Sequence, residues 1–223
     1  MAEAGGAAAL LVLPPHPIGR GNGNARPEMA LAHFAAIAEA TDLPIIVFQY
    51  PRGSGYGYPM ATLLRLAETI PSIAAIKDGC NDAKLHDSHV QVLQSLPRPV
   101  NVLSTHSPWL MQSLTTGCAG LLSGAGSVIA DLQVALFEAI RGDDLTAARR
   151  INAQIRPTSS CFYADPGCDM HNRMKTALVI LGRIPCAAVR PPLVTLNTDE
   201  VDRIRQAMDM AGIHPEGAML EAA

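Results

Sequence analysis

The chain has 223 residues, 48% of them apolar and 17% charged, with a formal net charge of −3. That apolar share excludes a disordered chain and is enough to bury a core, and the near-neutral balance argues against a dedicated nucleic-acid binder. Five cysteines without paired short spacings do not make a disulfide framework, which suits a reducing, cytoplasmic setting. The first residues carry no basic region and their apolar run stops at Pro14-Pro15, unlike a signal peptide. Residues 99–130 contain no Asp, Glu, Lys or Arg, but Pro, Gly and polar residues interrupt them throughout. A soluble protein is expected, not a membrane span.

Short apolar runs alternate with longer amphipathic ones. In chain order they predict a strand over Ala8–Leu13, a helix near 28–41, a strand over Pro44–Gln49, and a helix near 59–70 with Pro59 in its first turn. A strand over Ile73–Lys77, a helix near 82–95, a strand over Val100–Ser104 and a helix near 107–116 follow. The last pair is a strand over Ala119–Ser123 and a helix near 130–141. After the Gly142-Asp143 break come three further helices, at Asp144–Ile155, 169–182 and 198–211, the last capped by Asn197 or Thr198. The strand runs are nearly continuous in apolar residues, as in a parallel sheet covered on both faces, so the class is α/β. Periodicity alone favours a doubly wound sheet, because five units are three short of a (β/α)8 barrel.

The chain holds 14 Arg but only three Lys: Lys77, Lys84 and Lys175. Arginine cannot replace lysine where amine chemistry is needed, so each lysine merits attention. Lys77 closes a strand run, where parallel α/β folds gather their functional groups. A partly desolvated amine there can form a Schiff base; the plainer reading is a lysine that snorkels outward and pairs with Asp78. Phe48 and Tyr50 lie two apart in IVFQYP at 46–51 and so share a strand face. The Tyr50 phenol can relay protons beside a lysine, or the two rings simply pack.

Weaker signals complete the inventory. Ser123–Ser127 (SGAGS) offers backbone N–H groups to an anion, or is a tight glycine turn. Ser104, Thr105 and His106 follow a strand and either line a pocket or form a polar loop. His86 and His89, three apart on a helix, have no further ligand fixed by spacing and read as a solvated helical face, so no metal is expected. Walker A, GxGxxG and GxSxG patterns are absent.

Several pieces stand in a recurring order: LVLPP at 11–15, His33-Phe34, IAEA at 37–40 before Leu43-Pro44, and IVFQYP at 46–51 with Gly55 after it. IAAIKD at 73–78, GCAGLLS at 117–123, GDDLTAARRIN at 142–152 and RPPL at 190–193 continue the series. Over roughly residues 2–213 the chain resembles the dihydrodipicolinate synthase / N-acetylneuraminate lyase family of Schiff-base aldolases. The resemblance implies a (β/α)8 barrel, here strands 4 to 8 over residues 1–142, with a C-terminal helical extension over 143–223. It places the start of the chain at the end of the family's third helix, so the loop that holds the substrate carboxylate has no counterpart.

The resemblance also implies roles. Lys77 forms the imine with a pyruvate-type 2-oxo acid, Leu122 turns its backbone carbonyl to the substrate, and Phe48 and Arg52 fall in the substrate site, to which the place of Ser104 and His106 after a strand adds those two. Two departures stand out. The family's catalytic tyrosine falls on Phe48, which leaves Tyr50 as the substitute proton relay, and Arg52 is shifted by one position from the family's carboxylate arginine. The implied function is a lyase or aldolase that works as a homo-oligomer, the family tetramer, with no cofactor, metal, nucleic acid or membrane partner. A dehydratase acting on a sugar acid and a catalytically silent family member are the alternatives.

Overall fold

The computed structural model describes residues 2–16 and 26–215, without the Arg52 side chain. Five strands, β1 (Leu10–Val12), β2 (Ile45–Gln49), β3 (Ile73–Asp78), β4 (Asn101–Ser104) and β5 (Gly120–Leu121), form one parallel sheet. The strand order is β1-β2-β3-β4-β5. Every crossover therefore steps one strand along in the same direction. A doubly wound sheet instead reverses direction partway, so the arrangement that periodicity favoured is not the one formed.

Helices α1 (Pro27–Ala38), α2 (Met60–Thr69), α3 (Ala83–Leu93) and α4 (Leu110–Thr115) connect the strands. Their ends follow local chemistry: Pro27 opens α1, Pro59 sits just before α2, and the Asp82 carboxylate accepts the Leu85 N–H at 2.8 Å to cap α3. Four more helices follow, α5 (Gly126–Arg141), α6 (Leu145–Phe162), α7 (Met170–Ile180) and α8 (Thr198–Met210). Helix α5 starts four residues before the expected 130, and α6 runs past the expected Ile155, through Pro157. Of the two caps considered for α8, Asn197 is the one used, its side chain accepting the Glu200 N–H at 2.9 Å. No helix among the described residues is long and apolar enough to cross a membrane.

Contacts divide the chain into two compact units. One comprises the described residues of 1–106 and 112–122 and contains the whole sheet; the other comprises 107–111 and the described residues of 123–223. In the first, Phe34, Ile45, Val47, Leu66, Ile73, Ile76, Leu93 and Val102 are fully buried. In the second, α5 packs on α6, and α6 on α7 and α8, around Leu136, Ile155, Phe162 and Ile204.

The two faces of the sheet are unequal. In register, Phe48, Lys77, Leu103 and Gly120 form one row, and Gln49, Asp78, Ser104 and Leu121 the next. Alternation places these rows on opposite faces. Gln49, Asp78 and Ser104 are completely buried, whereas Phe48, Lys77 and Leu103 are only partly so. The expectation of a sheet covered on both faces is thus corrected for one of them: α3 closes the Asp78 face, and the Lys77 face stays partly open.

Candidate active site

Lys77 stands on the partly open face at the carboxyl end of β3. Its Nζ lies 4.6 Å from the centroid of the Phe48 ring on the neighbouring strand, within cation–π range. The Phe48 ring packs on Tyr50 with centroids 4.2 Å apart, and Tyr50 meets Tyr56 at 5.7 Å. The expectation that Phe48 and Tyr50 share a face with the lysine therefore describes the arrangement found. Burial pulls the Lys77 ammonium below its ordinary pKa, which favours the free amine. Burial, helped by Tyr56, raises the Tyr50 phenol, so it keeps its proton at neutral pH.

The loop that carries Tyr56 is held from the other face of β2. There the buried Gln49 amide donates from Nε2 to the Tyr58 carbonyl and accepts the Tyr58 N–H at Oε1, both at 2.9 Å. Gly79 follows β3 where a side chain would crowd its neighbours. A Cβ would lie 3.1 Å from the Gln49 carbonyl oxygen, 3.2 Å from Thr105 Cγ2 and 3.3 Å from the Phe48 ring. This tight passage sets the ring against which the lysine rests.

Behind Lys77, on the closed face, Asp78 collects a fan of donors. Its Oδ2 lies 2.9 Å from His86 Nδ1, 2.8 Å from His89 Nδ1 and 4.0 Å from His106 Nε2, while Oδ1 accepts the Cys80 N–H at 3.0 Å. His86 Nε2 donates to the Ser113 carbonyl at 3.1 Å, and Ser104 and Ser113 hydroxyls meet at 2.6 Å. Burial alone would raise Asp78 and lower His86. The Asp78 carboxyl is instead held below the usual aspartate range by the two imidazoles, and His86 is raised to about 9 by the carboxylate, Cys118 and Ser113. Burial drives His106 down to about 4, against the pull of Asp78, and pushes the Cys80 thiol up.

This network corrects three expectations. His86 and His89 are not a solvated face; both side chains are 0% exposed. They fall in step with Val90 and Leu93 along α3, the buried stripe of that helix. That register was the signal available in the sequence. Asp78 does not pair with Lys77, because alternation turns its carboxylate to the other face. Ser104 and His106, expected in the substrate site, likewise lie in the closed-face network and are not brought to Lys77.

The remaining expected residues fall as follows. Arg52 begins a short 3-10 turn, Arg52–Ser54, after β2; its side chain lies outside the described residues. Leu122 extends the ladder past β5, its N–H donating to the Ser104 carbonyl at 2.8 Å. The SGAGS segment is a tight turn and does not offer the array of N–H groups an anion would need. The Ala125 N–H donates to the Tyr163 hydroxyl, Gly126 to the Ser123 carbonyl and Ser127 to the Gly124 carbonyl.

The donor atoms of Asp78, Cys80 and His89, and of Asp78, His86 and His106, each lie within 4.8 Å of one another. The shortest contacts, however, are imidazole N–H groups donating to a carboxylate oxygen that itself occupies the point of convergence. The cluster reads as a hydrogen-bond network centred on the Asp78 carboxylate. A cavity of about 630 Å³ between α6 and α8, lined by Arg156, Cys161, Glu200 and Arg203 among others, holds none of these residues.

A parallel sheet whose strands follow one another in chain order, each joined to the next by a helix, defines a class: α/β proteins of consecutively wound strand–helix units. The chain belongs to the Dihydrodipicolinate synthetase family, whose sequence profile matches residues 1–211. It is 30% identical over 181 residues to a 4-hydroxy-tetrahydrodipicolinate synthase of Symbiobacterium thermophilum, an alignment that takes in 81% of this chain. The chain spans 59% of the length of that relative. In fold it is similar to the dihydrodipicolinate synthase of Thermotoga maritima (TM-score 0.80, 24% identity, 95% of this chain and 68% of that one). It is equally similar to a prophage protein of the dihydrodipicolinic acid synthase family from E. coli K12, solved in complex with pyruvate (TM-score 0.81, 21% identity, 95% and 69%).

Proposed function

We propose that the chain is a lyase or aldolase that activates a pyruvate-type 2-oxo acid through an imine on Lys77. The observation that carries this reading is the partly desolvated Lys77 amine, seated 4.6 Å from the Phe48 ring on the accessible face of the sheet. Membership of the family and the pyruvate complex of the E. coli relative support the substrate class. On this reading the five strands correspond to strands 4 to 8 of a (β/α)8 barrel over residues 1–142, followed by a helical extension over 143–223. The chain works as a homo-oligomer.

The chemistry starts with the neutral Nζ adding to the C2 carbonyl carbon, whose oxygen takes up a proton to give a carbinolamine. Loss of water leaves the protonated imine, which draws in the electron pair released when C3 loses a proton or a carbon–carbon bond breaks. Tyr50, whose phenol is protonated at neutral pH, supplies the proton that the departing hydroxyl requires. Phe48 supports the amine and its neighbour ring, and the Leu122 carbonyl faces the bound acid. A dehydratase acting on a sugar acid would use the same imine.

Borohydride reduction in the presence of pyruvate tests the reading. The expected result is a stable secondary amine on the peptide containing Lys77 in the folded protein, and none in Lys77→Arg. A folded protein that yields no adduct would support the silent alternative, for which the phenylalanine at position 48 already speaks.

A further inference from the structure

The buried network behind Lys77 contains a charge that its hydrogen bonds require. His86 points Nδ1 at the Asp78 carboxylate, 2.9 Å away, and Nε2 at the Ser113 backbone carbonyl, 3.1 Å away. The Asp78 carboxyl, held in its ionised form by the two imidazoles, and the Ser113 carbonyl only accept hydrogen bonds. A neutral imidazole carries one N–H, so this geometry requires His86 to be an imidazolium. His89 offers Asp78 a second N–H at 2.8 Å, while its own Nε2 has no partner.

We propose that His86 is a positioning residue for amine chemistry: its fixed positive charge cancels the Asp78 carboxylate behind Lys77 and so leaves the lysine free to shed its proton. Asp78 directly follows Lys77 in β3, and an uncompensated carboxylate there would favour the ammonium form across the thin, dry sheet. With the imidazolium seated against it, the pair presents no net charge to the amine. The other groups facing His86 do not supply that charge. Cys118 from the segment after α4 and Cys80 from the β3–α3 loop are thiols, and His106 after β4 stays neutral with its ring edge-on to His86, centroids 4.7 Å apart. Lys77 itself faces the Phe48 ring on β2 and Leu103 on β4, with the protonated phenols of Tyr50 and Tyr56 beyond. Burial is what lowers the amine, provided that Asp78 is neutralised.

The inference rests on Lys77 being the reacting amine, and its test does not depend on imine formation. Competitive labelling of Lys77 with trace acetic anhydride across pH, read by mass spectrometry, reports the amine's ionisation directly. His86→Asn keeps one donor to Asp78 but removes the charge. The labelling midpoint of Lys77 is expected to rise by about one pH unit in this variant. The double variant Asp78→Asn/His86→Asn should bring it back, a rescue that a merely structural role would not produce. An unchanged midpoint in folded His86→Asn, or no return in the double variant, overturns the proposal. If the variants do not fold, nitrogen-15 spectra of the unaltered protein decide: both ring nitrogens of His86 carry protons at pH 7, and a neutral tautomer overturns it. Failure of pyruvate trapping with the labelling shift intact would remove the lyase reading and leave this one standing.

Discussion

At Lys77, a residue type used three times in the chain meets a half-dry position at a strand end. Its aromatic neighbours follow from spacing, since Phe48 and Tyr50 share a face and parallel register brings Phe48 beside Lys77. On the proposed reading the value of Tyr50 is chemical: it presents beside Lys77 the phenol that Phe48 lacks. Tyr50→Phe should therefore slow pyruvate adduct formation about a hundredfold while leaving the melting temperature nearly unchanged. Stopped-time borohydride trapping measures it, and an equal rate would remove Tyr50 from the mechanism. The residues behind the lysine were far less legible. A histidine pair at i and i+3 suits a wet helical face as well as a buried stripe; its step with Val90 and Leu93 favours the stripe, and the Asp78 carboxylate from another element secures it.

Among the elements, the strand runs and helices were legible because the apolar period differs between them, and each strand in the structure lies within one residue of an expected run. Their ends were less so. Strand β5 shrinks to Gly120–Leu121, and α6 passes through Pro157 because α7 and α8 pack along it. The connection after β2 depends on one amide. Gln49 satisfies both the N–H and the carbonyl of Tyr58, and nothing in its sequence context marked it. Gln49→Ala leaves both groups buried and unpaired, and should cost about 1–3 kcal/mol in urea unfolding. It should also weaken the Tyr50–Tyr56 contact, seen as lost near-ultraviolet tyrosine dichroism.

For the whole molecule, the buried histidines predict a pH optimum of stability. His86 is raised from 6.5 to about 9, so its contribution is complete below 6.5 and is lost as pH rises towards 9. His106 is lowered from 6.5 to about 4, so the folded state refuses a proton that the unfolded state accepts, and stability falls as pH drops from 6.5 towards 4. Asp78 adds a further loss below its ordinary 3.8. Denaturant midpoints should thus peak near pH 6.5. In His106→Asn the acid side of that peak should flatten, and in His86→Asn the alkaline side.

Composition, the alternation of apolar periods and the placement of one scarce lysine were enough to establish an α/β chain, most of its elements and the residue on which its proposed chemistry turns. These are properties of neighbours in the chain, or of residues two and four apart, and local sequence carries them. Strand order, the sidedness of the sheet and the Asp78–His86–Ser113 network are not of that kind. They join residues on different elements, His86 and Ser113 being 27 positions apart, and the energy that fixes them comes from desolvated contacts formed only when those elements pack on one another. Folding therefore turned a histidine pair that looked solvated into a buried charge behind the lysine, and moved Ser104 and His106 away from it.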